Sequence, residues 1–345
     1  MIDACIQELR ALMSEFVAQG RAVELRTDVA DLDRLWTLLG SNRLSNILRE
    51  DKRVLARQIE YKQSVWSNNA SAISTVHFVA AIFDRNSLAH MFIKGPLALR
   101  AIYQDYFFRH STDVDVLVSK PDFRLASDIL SREGFGLDAD CNSSYWRFFL
   151  GEQHYSPPHD RLTLVDLHSF VRHPSGAPAI TMDTISKTSK SVNVGEMCIA
   201  IPEPAAMALL LVAYLVKGLM KYEPVGCFLL DLAMVLKRMD EIDLRKLVVA
   251  ARVQKSDAAL RLCLRAVRKI VPLPPILEQS ASDERRWPLS DEALFHQLVS
   301  PGTPSTWPRV KLLMRTCDRL EDAVKGIAWE IGRKVAQRAH HARLF

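Results

Sequence analysis

The sequence predicts an α+β protein in which a small mixed β-sheet core is flanked by N-terminal and C-terminal helical regions. Three observations carry that expectation. Residues 1–85 place apolar side chains at helical spacing, as in Leu32, Leu35, Leu38 and Leu39, and hold few strand signals. Residues 86–178 alternate short apolar or β-branched runs with helical stretches. Residues 179–270 return to helical patterning, with Pro202 and Pro204 at the entrance of one helix and Pro224-Val225-Gly226 breaking two others.

Composition bounds the class. A chain of 345 residues, 48% hydrophobic and 25% charged, is long enough for one large or two ordinary globular domains. Its net charge of +5 suits an anionic ligand without demanding nucleic acid, and no arginine-rich or aromatic-interleaved stripe is present. The six cysteines, at 5, 141, 198, 227, 263 and 317, form no metal-spaced pair and read as reduced thiols, which predicts a cytoplasmic protein. The chain opens on an amphipathic helix with Glu8 and Arg10, not on a signal peptide. The most apolar run, 205–216, is too short to span a bilayer and reads as a buried helix, so no transmembrane segment is expected.

Within the core region, His90-Met91-Phe92-Ile93 reads as a strand that stops at Lys94-Gly95-Pro96, and residues 97–103 read as a helix with Pro96 in its first turn. A strand, a glycine turn and a helix N-terminus form a cradle for phosphate. Lys94 alone would read as an exposed strand-end lysine; here it supplies a point charge to that cradle. The run Arg109-His110-Ser111-Thr112-Asp113-Val114-Asp115-Val116-Leu117-Val118 follows. Ser111 and Thr112 suit a tight turn, and residues 114–118 read as a buried strand. Asp113 and Asp115 then point to the same face about 6–7 Å apart. Two like charges buried side by side ask for a cation, and oxygen ligands favour Mg²⁺.

Further along, Ser119 with Asp122 three residues later predicts a helix start, and Gly134 its stop. Asp138 and Asp140 lie among turn residues and read as a solvated turn. Residues 145–150 and 162–167 read as strands around Pro157-Pro158, the second bringing Asp166 towards the first two acids. His168, two residues on, faces the same side. It reads either as a structural strand-end histidine or as a group that orients an acceptor or hydrogen-bonds Asp166. The aromatic cluster Tyr145, Trp146, Phe148 and Phe149 reads as packing in preference to a stacking surface for a nucleobase. Asp231, on an otherwise apolar helix, calls for a partner, most simply a salt bridge to the core. Residues 271–308 hold seven of the sixteen prolines and read as a linker or irregular arm. Residues 309–345 read as a helix with a basic, solvated end, in preference to a membrane-surface or partner-binding helix.

These motifs carry a resemblance. Lys94-Gly95, then Arg109 with Ser111, Thr112, Asp113 and Asp115, then Val165-Asp166-Leu167-His168, resemble the ordered motifs of the polymerase-β-like nucleotidyltransferase superfamily, and within it the branch of uncharacterised nucleotidyltransferases, over about residues 25–275. The superfamily's more general pattern places a serine after the glycine, where this chain has Pro96. The resemblance implies a nucleotidyltransferase core at 86–178, helices at 179–270 that build an acceptor pocket, and a two-metal Mg²⁺ site. Asp113, Asp115 and Asp166 would be catalytic and metal-binding. Lys94, Gly95, Arg109, Ser111 and Thr112 would bind the nucleotide, with His168 in support. The implied reaction moves a nucleoside monophosphate from an NTP such as ATP to a hydroxyl, or a phosphate, of an unidentified small-molecule, peptide or protein acceptor. An inactive nucleotide-binding module of the same fold is the alternative, and the want of a basic stripe disfavours addition to nucleic acid.

Overall fold

A computed structural model describes residues 2–26, 31–143, 145–173, 177–186, 189–281, 289–302 and 306–341. Its helices and strands follow the chain as α1 (Ile2–Gln19), α2 (Leu32–Ser41), α3 (Leu55–Arg85), β1 (His90–Phe92), α4 (Gly95–Tyr103), β2 (Asp113–Val118), α5 (Phe123–Arg132), β3 (Gly136–Leu137), β4 (Glu152–Ser156) and β5 (Leu164–His168). There follow α6 (Met182–Ile185), β6 (Ser189–Val194), β7 (Met197–Pro202) and helices α7 (Pro204–Lys221), α8 (Gly226–Arg238), α9 (Glu241–Val253), α10 (Asp257–Val267), α11 (Pro275–Ala281), α12 (Asp291–Val299), α13 (Thr306–Arg315) and α14 (Leu320–His341). The architecture is α+β, as expected. Contacts divide it into two units: 1–63, 173–177 and 211–324 in one, 64–172, 178–210 and 325–345 in the other.

The first unit is helical. Helix α1 buries Leu9, Leu12, Met13 and Phe16, spaced for one helical face. The Pro224-Val225-Gly226 break is anchored by buried Asn42, whose amide donates to the Val299 carbonyl at 2.7 Å and accepts from the Gly226 N–H at 2.8 Å. In the stretch expected to be irregular, α11 and α12 form, the latter capped by Ser290. Residues 282–288 and 303–305 of that stretch, and 342–345 of the basic end, lie outside the described residues.

The second unit is built on a five-stranded mixed sheet in the order β1-β2-β5-β4-β3. Strands β2 and β5 are parallel, with Asp113 opposite Leu164, Asp115 opposite Asp166 and Leu117 opposite His168; the other pairings are antiparallel. The pleat divides these side chains. Val114, Val116, Val118, Val165, Leu167 and Tyr155 enter a core with Val79 and Phe83 of α3 and Ile129 and Leu130 of α5. Asp113, Asp115, Asp166 and His168 share the opposite face. Asp122 precedes α5 and accepts a 2.6 Å hydrogen bond from Ser119, and Gly134 follows the helix at φ +89°. The β6–β7 hairpin, in a stretch expected to be helical, adds Val194, Ile199 and Ile201 to the same core.

Residues 145–150 are not a strand. They form a wide helical turn closed by the Gly151 N–H on the Trp146 carbonyl at 2.8 Å, and the hairpin partner of β5 is β4. The aromatic residues there point around a helix, where Tyr145 and Phe149 pack with Trp329 and His340 of α14. The basic end is therefore docked along its described part: the Arg172 guanidinium lies 3.7 Å over the Trp329 ring, and Arg333 donates to the Tyr145 hydroxyl at 3.1 Å. Among the described residues one helix, Pro204–Lys221, is long and apolar enough to cross a membrane, and 83% of it is buried inside the protein.

Gly151 ends the wide turn at φ +70°, and a Cβ there would be driven into the Phe170 ring. Gly151→Ala is therefore expected to cost about 2–4 kcal/mol from left-handed strain and overpacking. The urea midpoint checks this, and an unchanged midpoint would refute it.

Candidate functional site

Two apolar strands set side by side bring the acids together. Asp115 is buried, 1% exposed, and its position opposite Asp166 puts both carboxylates on the polar face of the sheet. The Nζ of Lys94 lies 2.7 Å from Asp115 Oδ1, and His168 Nε2 lies 3.0 Å from the same oxygen. The other oxygen, Asp115 Oδ2, is buried and takes no hydrogen bond among the described residues. Ligand atoms of Asp115, Asp166 and His168 lie within 4.8 Å of one another, a group that can hold a metal ion. The buried, unbonded carboxylate oxygen fits a cation, because solvent does not satisfy it.

The charges at the two acids diverge. Burial alone would raise the Asp115 pKa, but Lys94 and His168 outweigh it and hold the carboxyl well below the usual range. Asp166 is pushed up to about 6 by burial and then by the neighbouring Asp115 charge, with Asp113 adding to the repulsion. Burial works against a charged His168, yet its hydrogen bond to Asp115 and the charges of Asp115 and Glu152 raise its pKa. Glu152 Oε2 stands 3.6 Å from the second ring nitrogen. The hydrogen bond of His168 thus goes to Asp115, diagonally across the parallel pair.

The other predicted motif residues lie on the turn that opens α4, on the loop before β2 and at the start of that strand. Lys94 is the residue before α4, Gly95 opens that helix at φ +75°, and Pro96 occupies the first turn, where its missing N–H costs little. Asp113 begins β2, half-buried and on the same face, but its carboxylate is not in the close cluster. Arg109 is half-buried in the loop before β2, Ser111 is buried, and the Thr112 carbonyl accepts from the Thr163 hydroxyl at 2.7 Å. Asp138 and Asp140 are exposed, with Asp138 accepting the Asp140 N–H at 3.0 Å, a solvated turn as expected. Asp231 is buried on α8.

Sequence reading missed His154 and Glu152, which β4 presents opposite Asp166 and His168. His154 Nε2 is 3.7 Å from Asp166 Oδ1, and the Trp146 ring meets the His154 ring edge-on at 4.8 Å. The alternation Glu152, His154 was the available signal, hidden because the strand was placed at the aromatic run before it.

A family model described as uncharacterised nucleotidyltransferase matches residues 28–272, which include every strand and all of these site residues. None of the curated proteins compared with the chain matches it.

The two acids should respond oppositely to neutralisation. Asp166 has a folded pKa above its unfolded one, so its contribution to stability is present below about pH 4 and lost as pH rises through about 6. Asp166→Asn should therefore gain about 2–3 kcal/mol at pH 7 without divalent cations and flatten that pH slope. Asp115→Asn should instead lose about 2–4 kcal/mol, because Lys94 and His168 lose their charged partner. Chemical denaturation from pH 4 to 8 checks both; two shifts of the same sign would sink this account.

Proposed function

The chain belongs to the uncharacterised nucleotidyltransferase family, and we propose that it moves a nucleoside monophosphate from a Mg²⁺-bound NTP to a hydroxyl, or a phosphate, of a small-molecule or peptide acceptor, releasing pyrophosphate. The observation that carries this reading is the register pairing of Asp115 with Asp166, with a buried carboxylate oxygen left for a cation. Asp113, Asp115 and Asp166 would hold Mg²⁺, since this hard cation prefers their oxygens to the imidazole of His168. When bound, Mg²⁺ supplies neutralisation of the phosphate charge and activation of the attacking hydroxyl.

The chain's own residues do the rest. Helix α4 aims its first free N–H groups out of the Gly95 turn, a dipole end suited to the outer phosphates. Lys94 stands on Asp115, within reach of that turn, and is assigned to the same phosphates. Arg109, Ser111 and Thr112 approach from the loop before β2 and are assigned to the nucleotide. His168 fixes the Asp115 carboxylate by its hydrogen bond to Oδ1, so that Oδ2 would be the oxygen offered to a cation. Asp166, paired in register with Asp115 and opposite His154, is assigned to the acceptor hydroxyl. His154 and Trp146 form the open wall beside it, against which the acceptor would lie.

Incubation with α-labelled NTPs, Mg²⁺ and a cell extract, followed by mass spectrometry, should identify a product one nucleotide heavier. Asp166→Asn should bind Mg²⁺-NTP within a few-fold of wild type yet transfer at least about 100-fold more slowly. Lys94→Ala should weaken NTP binding by about 1–3 kcal/mol in calorimetry. Full transfer by Asp166→Asn would remove that residue from the mechanism, while nucleotide binding without transfer by the wild type would replace the transferase by a nucleotide-binding module.

A further inference from the structure

We propose that Asn69, on α3 and outside every motif above, is a positioning residue that sets the nucleotide-facing loop at residues 109–112; this deepens the nucleotidyl-transfer reading and rests on it. Asn69 is fully buried, 0% exposed. Its side-chain NH₂ donates to the Tyr106 carbonyl at 2.6 Å and to the Arg109 carbonyl at 2.8 Å, and its Oδ1 accepts the Ser111 N–H at 2.8 Å. Two carbonyls and one N–H around one amide admit a single orientation of that amide.

The length and chemistry are specific to asparagine. Aspartate would face the two carbonyls with a second acceptor, leucine would leave all three backbone groups unbonded, and glutamine is one methylene too long for the same placement. The helix that carries the amide is itself held by the apolar core through Ala72, Val76, Val79, Ala80 and Phe83. On the same helix, Ser64 and Asn68 meet the two ring nitrogens of His110, each at 3.1 Å.

The same helix reaches the other acid-bearing strand. Thr75 Oγ1 accepts the Thr163 N–H at 2.8 Å, and Thr163 in turn donates its hydroxyl to the Thr112 carbonyl. One helix therefore fixes the entrances to both β2 and β5, Asn69 at the first and Thr75 at the second. The loop that joins α4 to β2 has no regular structure of its own, so Arg109 and Ser111 take their placement from this amide, beside the anchors at His110 and Thr112.

The test compares Asn69→Leu, which keeps the branched skeleton of four heavy atoms but none of its hydrogen bonds, with Val79→Ala, which removes core packing on the same helix away from the loop. ATP, GTP, CTP and UTP are each titrated with Mg²⁺ by calorimetry below both melting transitions, and hydrogen exchange reports the Ser111 amide. Asn69→Leu should lose protection at Ser111 and bind its best Mg²⁺-NTP at least tenfold more weakly. Val79→Ala should bind as wild type despite a comparable fall in melting temperature. Binding by Asn69→Leu within twofold of wild type, or an equal loss in Val79→Ala, would overturn the positioning role alone. A wild-type protein that binds none of the four would overturn the transferase reading and this inference with it. If Asn69→Leu does not fold, Asn69→Ser carries the same comparison.

Discussion

The centre depends on keeping one carboxylate charged inside a sheet. An isolated buried carboxylate takes up a proton to escape the low dielectric. Asp115 stays an anion because Lys94 and His168 both attach to its Oδ1, at 2.7 and 3.0 Å. This division of labour between its oxygens leaves Oδ2 without a hydrogen-bond partner among the described residues. The interior thus compensates the charge while one coordination position remains for something that arrives from outside. Asp166, directly opposite, is buried and shares the field of Asp115, so its proton is held more tightly, although His154 at 3.7 Å pulls the other way. Two chemically identical side chains in one register pair thereby acquire different protonation behaviour.

That arrangement makes strand register the controlling variable. A slip of one residue in β2 would turn Asp113 and Asp115 into the apolar core and Val114 and Val116 onto the polar face. The valines prevent it, since their burial against α3 and α5 specifies which way the strand faces. Packing on one side of the sheet therefore determines electrostatics on the other.

Much of this was legible in the residues. The apolar residues flanking Asp115, Val114 and 116–118, marked a buried strand, and the Lys94-Gly95-Pro96 turn announced the strand end and the helix start. What escaped was long-range. No local signal says that Lys94 reaches Asp115 across residues 95–114, or that His168 pairs with Asp115 in preference to Asp166, because both follow from which strands become neighbours. The aromatic run 145–150 has strong strand propensity, and tertiary context overrode it through Gly151 and the contacts with α14. The β6–β7 hairpin was missed for the opposite reason, its polar first strand offering little hydrophobic alternation. Prolines suggested an irregular arm, but Pro275 stands at a helix start, where proline is well tolerated.

The parallel pairing of β2 with β5 has an evolutionary consequence. Asp115 and Asp166 meet through backbone hydrogen bonds, and residues 116–165 lie between them in the chain without defining their distance. Exchanges in the wide turn, at its exposed Phe148 above all, or in the loop before β5 would reshape the rim and leave the acids undisturbed. Such a core separates a fixed pair of acids from a variable rim, so descendants of one ancestor can diverge at the rim while sharing the same few carboxylate atoms.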